Sequence, residues 1–215
     1  MGALNEQMAT RLPAGFLIPE ELTRMLMWID ENGWVCRGPG SGDLYGTPYP
    51  EDDRSGSLAE FGLAPAEEVA SHASGWLGTV DPAIYGRLCP FVQTGADGSY
   101  AAFWLDAGVQ RIVHMGSGSG STLACVLGTP LDFLRLLAIG YDEICWNEAW
   151  ASPPSTEDAW DGWQPVNTAY REWLSRSFGI AAPVTALEVV SRPAEMGDED
   201  SGDAFCEWVN KVTKG

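Results

Sequence analysis

The chain has 215 residues, 45% of them hydrophobic, a composition typical of a globular protein and not of a disordered one. Thirty acidic side chains against twelve basic ones leave a formal net charge of −18 at pH 7. This charge disfavours binding to nucleic acid or to an anionic membrane, because phosphate groups would be repelled. It leaves two interpretations open: a basic protein partner, or solubility alone.

The cellular context is predicted from the N-terminus and the cysteines. The start, MGALNEQMATRLPAGF, has no basic region followed by an apolar stretch, and the chain holds no run of 18 apolar residues. Five cysteines are scattered without a CxxC pair, and the two histidines have no second ligand at zinc spacing. We therefore expect a cytoplasmic protein with no membrane segment, no metal and no cofactor.

The N-terminal half predicts helices separated by a long loop. Residues 20–32 have the apolar spacing of an amphipathic helix, and Gly33 suits its end. The segment 37–57 is rich in turn-forming residues and is interpreted as a loop. Residues 65–77 predict a second helix, in which His72 is expected to be a surface or half-buried residue and not a catalytic base.

The middle of the chain changes to the pattern of strands. Between residues 88 and 128, four short apolar runs are separated by turn residues, which predicts an antiparallel meander. The four runs are LCPFVQT, SYAAFWL, RIVHM and TLACVLG. A helix over 130–140 follows, with Thr129 as N-cap, Asp132 in its first turn and Gly140 as its stop.

The most unusual stretch is GSGSGS, at residues 116–121. A Walker loop would need a lysine after the last glycine, and a dinucleotide-binding loop would need a helix directly after it. A nucleophile elbow would need glycine two positions away on both sides of the serine, and neither Ser117 nor Ser119 has this. The stretch is therefore predicted to be a turn between two strands.

The region around this turn resembles the SUKH superfamily, the Smi/Knr-like group of cell-wall regulators and bacterial immunity proteins. The resemblance covers about residues 98–145, and its matching residues are mostly structural. They are Trp104, Asp106, Gly116, Ser117, Phe133, Leu134, Leu137, Gly140 and Tyr141. The resemblance implies an α+β fold and a protein that binds another protein, either a toxin or a cellular partner.

The segment 146–163 interleaves tryptophans with acidic residues. Such residues either form a ligand-binding face, since tryptophan gives rigid contact area, or fold back into the core, since tryptophan is highly buried on average. A helix over 166–178, an exposed acidic loop and a short terminal helix from residue 204 follow.

The candidates for acid–base catalysis are the carboxylates of Asp106, Asp132, Asp142 and Glu143, which bracket the meander and its helix. Paired carboxylates can act as acid and base when burial separates their pKa values. No triad, metal set or phosphate loop accompanies them, and Asp132 is already needed at a helix start. The chain is therefore not expected to be an enzyme.

Together these patterns predict one α+β domain over residues 1–215, an antiparallel sheet at 88–128 packed by helices, with loop insertions near 37–57 and 147–165. The function that the resemblance implies is that of a cytoplasmic immunity protein that neutralises a basic bacterial toxin, one that attacks nucleic acid. The alternative is a Smi/Knr-like regulatory scaffold. The expected partner-binding residues are Glu51, Asp52, Asp53, Glu157, Asp158, Trp160, Asp161 and Trp163, and the acids of 195–203 are further contributors.

Overall fold

The computed structural model describes residues 2–38, 41–50, 55–155 and 163–214. The helices in these ranges are α1 (Ala3–Arg11), α2 (Glu20–Asn32), α3 (Ala66–Leu77), α4 (Pro82–Tyr85), α5 (Pro130–Leu137), α6 (Thr168–Phe178) and α7 (Ala204–Lys214). The strands are β1 (Val35–Arg37), β2 (Leu44–Gly46), β3 (Glu60–Gly62), β4 (Leu88–Gln93), β5 (Tyr100–Asp106) and β6 (Val109–Met115). No helix in the described ranges is both long enough and apolar enough to cross a lipid bilayer.

The fold is α+β, as predicted, and its centre is an antiparallel meander. The six strands pair in chain order from β1 to β6. Three of the four predicted strands are present as β4, β5 and β6. A register shift between Pro90 and Val92 bends β4, where proline cannot donate a ladder hydrogen bond.

The fourth predicted strand, at 122–128, is not a regular strand. Its backbone follows β6, since the N–H of His114 donates to the carbonyl of Cys125 at 2.8 Å. Its other edge bonds residues 194–196, where the N–H of Ala124 donates to the carbonyl of Ala194. The segment therefore makes isolated bridges on two sides and no continuous ladder.

Three strands were missed by the sequence interpretation. Strand β2 lies inside the segment 37–57 that was interpreted as a loop, and β1 and β3 flank it. Each has only three residues, too few for a period of two to be recognised. They extend the meander by three strands on the β4 side.

The predicted ends of α2, α3 and α6 are confirmed, and α6 starts at Thr168, two residues later than predicted. The predicted capping box at α5 is present, with Thr129 Oγ1 accepting from the N–H of Asp132 at 3.1 Å. Such a cap contributes about 1 kcal/mol. The helix ends at Leu137 and not at Gly140, and Arg171 of α6 donates to the free carbonyls of Ala138 and Ile139 just beyond this end. Helices α1 and α4 were not predicted.

The first face of the sheet carries the larger hydrophobic core. Phe61, Phe91 and Phe103 lie on this face and are at most 1% exposed. The rings of Phe91 and Phe103 are stacked, with centroids 4.1 Å apart. Helices α1, α2, α5 and α6 contribute the residues that cover them.

The second face carries a smaller core over β4, β5 and β6. Trp104 lies at its centre and packs edge-to-face on Phe205 of α7, while α3 adds Ala73 and Leu77. Among the described residues, this cluster includes none from β1, β2 or β3. The second face is therefore less covered near β2 and β3, and a groove opens there.

Candidate functional site

The groove lies between the second face of the sheet and helix α3, with a volume of about 240 Å³. Strands β2, β3, β4 and β5 form its floor, and α3 forms one wall. Its polar lining includes Asp43, Glu60, Glu68, His72 and Tyr100. Its apolar lining includes Leu63, Val69 and Pro90. The groove therefore combines titratable groups with open space.

The pleat of β3 places Glu60 on the groove floor. Phe61 is completely buried in the first-face core, so its neighbours on the strand, Glu60 and Gly62, point to the second face. Glu60 lies opposite Gln93 of β4 in the register, and Gly62 lies opposite Tyr45 of β2. The groove floor therefore carries the carboxylate of Glu60, and Gly62 on the same face leaves space beside it.

The carboxylate of Glu60 is half-buried, and burial raises its pKa above the usual 4.5. No hydrogen bond or ion pair to it is found among the described residues. Transfer of a charge out of water is unfavourable unless a partner compensates it. Glu60 is thus a half-buried carboxylate of the groove whose charge a bound cation would compensate.

His72 and Tyr100 form an aromatic pair beside Glu60. Their rings meet edge-to-face with centroids 4.8 Å apart. Burial lowers the pKa of His72 below 6.5, so the imidazole is neutral at pH 7. Burial, with the nearby charge of Glu60, raises the pKa of Tyr100. His72 is half-buried on its helix, as the sequence predicted.

Asp43 on the opposite rim is already neutralised. Its Oδ1 lies 2.5 Å from Nη2 of Arg11, which belongs to α1. The hydrogen bond from Arg11 is the main cause of the lowered pKa of Asp43. The uncompensated negative charge of the groove therefore comes from Glu60 and from Glu68, whose side chain is exposed at the start of α3.

The Gly-Ser stretch is a turn, as predicted, and it encloses the carboxylate of Asp97. Gly118 has φ +79° at the tip, and its N–H donates to the carbonyl of Ser121 at 3.0 Å. Asp97 comes from the β4–β5 turn and was not singled out by the sequence interpretation. Its Oδ2 accepts from Ser117 Oγ at 3.0 Å and from the N–H of Ser121 at 2.9 Å.

Two further bonds reach Asp97 from Ser99, one from its N–H and one from its hydroxyl, both at 2.9 Å. Burial alone would raise the pKa of Asp97, but the hydrogen bonds from Ser121, Ser99 and Ser117 outweigh it, and the pKa is lowered. A Cβ on Gly120 would lie 2.6 Å from Oδ2, so this glycine admits the carboxylate. We call Ser99, Ser117, Gly120 and Ser121, which surround the carboxylate of Asp97, the clasp; its role is structural.

His114 lies beneath the clasp and is fully buried. Its Nδ1 is 3.1 Å from the carbonyl of Leu123, to which it donates, and its Nε2 is 3.1 Å from Thr94 Oγ1. Burial lowers the pKa of His114 to about 4. The ring is therefore a neutral structural group, and both its nitrogens are occupied.

Most of the predicted partner-binding residues lie outside the described residues. These are Glu51, Asp52, Asp53, Glu157, Asp158, Trp160 and Asp161. Trp163 is described and is 5% exposed, with its indole N–H donating to the carbonyl of Gly56 at 3.0 Å. Its ring is therefore packed in the protein and is not presented at the surface.

The other tryptophans of the segment 146–163 differ from each other. Trp150 is completely buried, in agreement with the interpretation that the segment folds back into the core. Trp146 is 39% exposed, and its indole N–H donates to Glu143 at 2.7 Å. Within the described part, one tryptophan of this segment therefore reaches the surface.

The four carboxylates considered for catalysis all have structural contacts. Asp106 pairs with Arg87 and Arg111. Asp132 completes the capping box. The remaining two carboxylates accept backbone hydrogen bonds: Asp142 from the N–H of Glu143, and Glu143 from the N–H of Ala96. In the described ranges, no three His, Cys, Asp or Glu residues converge as a metal site would require.

The acids of the 195–203 segment have two roles. Glu195 joins three loops, since its carboxylate accepts from Thr122 Oγ1 at 2.8 Å and from Asn147 Nδ2 at 3.0 Å. Asp203 accepts from the N–H of Phe205 at the start of α7. Between them, residues 198–200 are exposed; Glu199 pairs with Lys214, and Asp198 accepts from the N–H of Glu195.

No family model, curated protein or solved structure matches this chain.

Proposed function

We propose that this protein is a cytoplasmic immunity protein that binds a basic bacterial toxin, one that attacks nucleic acid, and blocks it. The observation that carries the proposal is the excess of exposed carboxylates over available basic groups. The resemblance of residues 98–145 to the SUKH superfamily supports the same function class. A Smi/Knr-like scaffold that binds a cellular protein is the alternative that this resemblance allows.

The basic side chains are largely used within the protein. Six of them, in the described ranges, form ion pairs with five carboxylates: Arg11 with Asp43, Arg87 and Arg111 with Asp106, Arg135 with Asp132, Arg176 with Glu172, and Lys214 with Glu199. Three more arginines donate to backbone carbonyls: Arg24, Arg37 and Arg171. The ion pairs engage only five carboxylates in these ranges, so the other carboxylates there keep their negative charge towards a partner.

Many exposed carboxylates have no ion-pair partner in the described part of the chain. Examples are Glu20, Glu31, Glu67, Glu68, Glu148, Asp198 and Asp200. A toxin that attacks nucleic acid needs a basic active-site surface of its own to hold phosphates. An acidic inhibitor is attracted to that basic surface of the toxin, and its carboxylates take the positions of the phosphates there.

The test is neutralisation of the toxin domain encoded by an adjacent gene. Expression of that domain alone should arrest growth, and co-expression of this protein should restore it. Direct binding is then measured by stopped flow at low salt and at 0.15 M salt. The association rate should fall markedly with salt, because exposed charges are screened over about 8 Å at 0.15 M.

The acidic segments are compared by neutralising three residues at a time. The sets are Glu51, Asp52 and Asp53; Glu157, Asp158 and Asp161; and Asp198, Glu199 and Asp200. We expect the 157–161 set to slow association most, because Trp160 lies among its acids in the sequence. The matched control neutralises Glu20, Glu31 and Glu148, which removes the same charge.

Two results would reject the proposal. One is that no adjacent gene encodes an effector and no toxin is neutralised, which would favour the scaffold alternative. The other is binding that is independent of salt and equally insensitive to all four sets. In that case the charge serves solubility and the interface is apolar.

A further inference from the structure

The groove beside α3 has the dimensions of a site for one side chain. Pockets for drug-sized ligands have volumes of about 300–1,000 Å³. The groove, at about 240 Å³, is smaller and is open to solvent. A single side chain that projects from the surface of another protein would fit it.

The charges of the groove favour a cationic side chain. Glu60 on the floor has no partner among the described residues, and Glu68 on the α3 wall is exposed. His72 does not oppose a cation, because its pKa is lowered and the ring is neutral at pH 7. Asp43 is already neutralised by Arg11. The open space thus faces two uncompensated carboxylates.

The shape and chemistry of the walls favour arginine over lysine. The lining is partly apolar, with the half-buried Ala64 beside the almost fully buried Leu63 and Val69, and the methylene stem of a long basic side chain can pack on it. The aromatic pair of His72 and Tyr100 offers a ring face or edge to a planar guanidinium, which stacks on aromatic groups. A guanidinium is also more weakly hydrated than an ammonium, so it is more easily placed beside the half-buried Glu60.

We infer that this groove is a socket for one arginine side chain of the partner, with Glu60 accepting the guanidinium. The inference rests on the proposed function only in that the arginine belongs to a basic protein. It adds a contact that lies outside the three acidic segments. This contact is on the second face of the sheet, opposite the larger core.

The experiment uses N-acetyl-arginine amide as the probe and the full chain labelled with ¹⁵N. Titration is followed by the amide shifts of residues 60–62, 72, 93 and 100. N-acetyl-lysine amide and N-acetyl-citrulline amide are the comparison probes; citrulline keeps the shape of arginine without its charge. We expect saturable shifts confined to the groove, with arginine binding more tightly than lysine and citrulline not binding.

The matched variants are Glu60→Gln and Glu67→Gln. Each removes one negative charge, but Glu67 lies on the exposed side of α3 and does not line the groove. Loss of a charge-assisted hydrogen bond should weaken arginine binding about tenfold in Glu60→Gln, and Glu67→Gln should change it less than about twofold. Glu68→Gln should give an intermediate loss.

Each contrary result overturns a defined part of the inference. Shifts spread over the whole acidic surface, or equal losses in Glu60→Gln and Glu67→Gln, would mean that no socket exists. Equal affinity for lysine would reject arginine as the occupant. If toxin neutralisation fails while the arginine probe binds as expected, the proposed function fails and the socket stands. If neutralisation succeeds unchanged in Glu60→Gln, the socket is not used by the toxin.

Discussion

Two carboxylates near the same corner of the sheet have opposite environments. Asp97 accepts four hydrogen bonds from three serines, and its pKa is lowered. Glu60 is half-buried without a partner among the described residues, and its pKa is raised. Asp97 stabilises the fold, whereas Glu60 remains available for a ligand. The GSGSGS stretch, although unusual in sequence, supplies hydrogen-bond donors to the structural carboxylate of Asp97 and does not line the groove.

The largest effect is expected from Asp97→Ala. This change leaves the donors of Ser99, Ser117 and Ser121 without their acceptor, and hydrogen bonds to charged groups contribute about 1.5–3 kcal/mol each. Because the bonds are coupled, we expect a total loss of about 3 kcal/mol in the free energy of unfolding. Urea denaturation measures it, with Glu67→Ala as the exposed control. A loss below about 1 kcal/mol would contradict the clasp.

Gly120→Ala should cost less than loss of the carboxylate itself. The new Cβ would lie 2.6 Å from Oδ2 of Asp97 and would displace it from the serine donors. We expect a loss of about 2 kcal/mol, measured by the same denaturation experiment. The double variant with Asp97→Ala should be less than additive, because the clash is then absent. Full additivity would show that Gly120 acts independently of Asp97.

Joint replacement of Gly118 and Ser119 by alanine tests the tip of the turn. Gly118 has φ +79°, which alanine adopts unfavourably, and nothing lies within 4 Å of its added Cβ. We expect a loss of about 1 kcal/mol, with binding to the proposed partner retained. Ser119→Ala alone is the control and should be nearly neutral. Loss of binding with an intact fold would mean that the turn contacts the partner.

Glu60→Gln should have the smallest effect on stability, and its sign should be opposite. Burial raises the pKa of Glu60 above its ordinary value of 4.5, so ionisation of this carboxyl group is less favourable in the folded state than in the unfolded state. Its contribution to stability is therefore present below 4.5 and is lost as the pH rises through the folded pKa. We expect Glu60→Gln to be neutral or stabilising at pH 7, by less than about 1 kcal/mol.

The pH dependence of the same variants sharpens the contrast. Glu60→Gln should remove part of the decline in unfolding free energy above pH 4.5. Asp97 has a lowered pKa, so its contribution is present above 3.8 and is lost as the pH falls further. Denaturation at a series of pH values separates the two, and equal pH profiles would contradict the difference between the carboxylates.

Local chemistry made several elements predictable from the sequence. The capping box of Thr129 and Asp132 was readable because its bonds span three residues. The apolar period of α2 gave its bounds, and Gly33 adopts the left-handed conformation that ends it. The turn at 116–121 followed from glycine content and from the absence of the residues that a phosphate or nucleophile loop requires. The α+β class followed from these elements.

The site was not predictable for a physical reason. Glu60 and Asp97 are ordinary acidic residues in the sequence, and their difference arises from what lies near them after folding. Asp97 meets Ser117 and Ser121, which are 20 and 24 residues away. Glu60 belongs to a three-residue strand whose pairing with β4 only the sheet reveals.

The sequence by itself determined the acidic charge, the bounds of α2, the start of α5 and the antiparallel centre of the sheet, because each depends on composition or on residues close together in the chain. Only the tertiary structure decided which carboxylates are compensated. It also decided that Trp150 and Trp163 are buried, and that the second-face core stops before β2 and β3. These outcomes depend on contacts between residues far apart in the chain, and hydrophobic period and propensity carry no information on them.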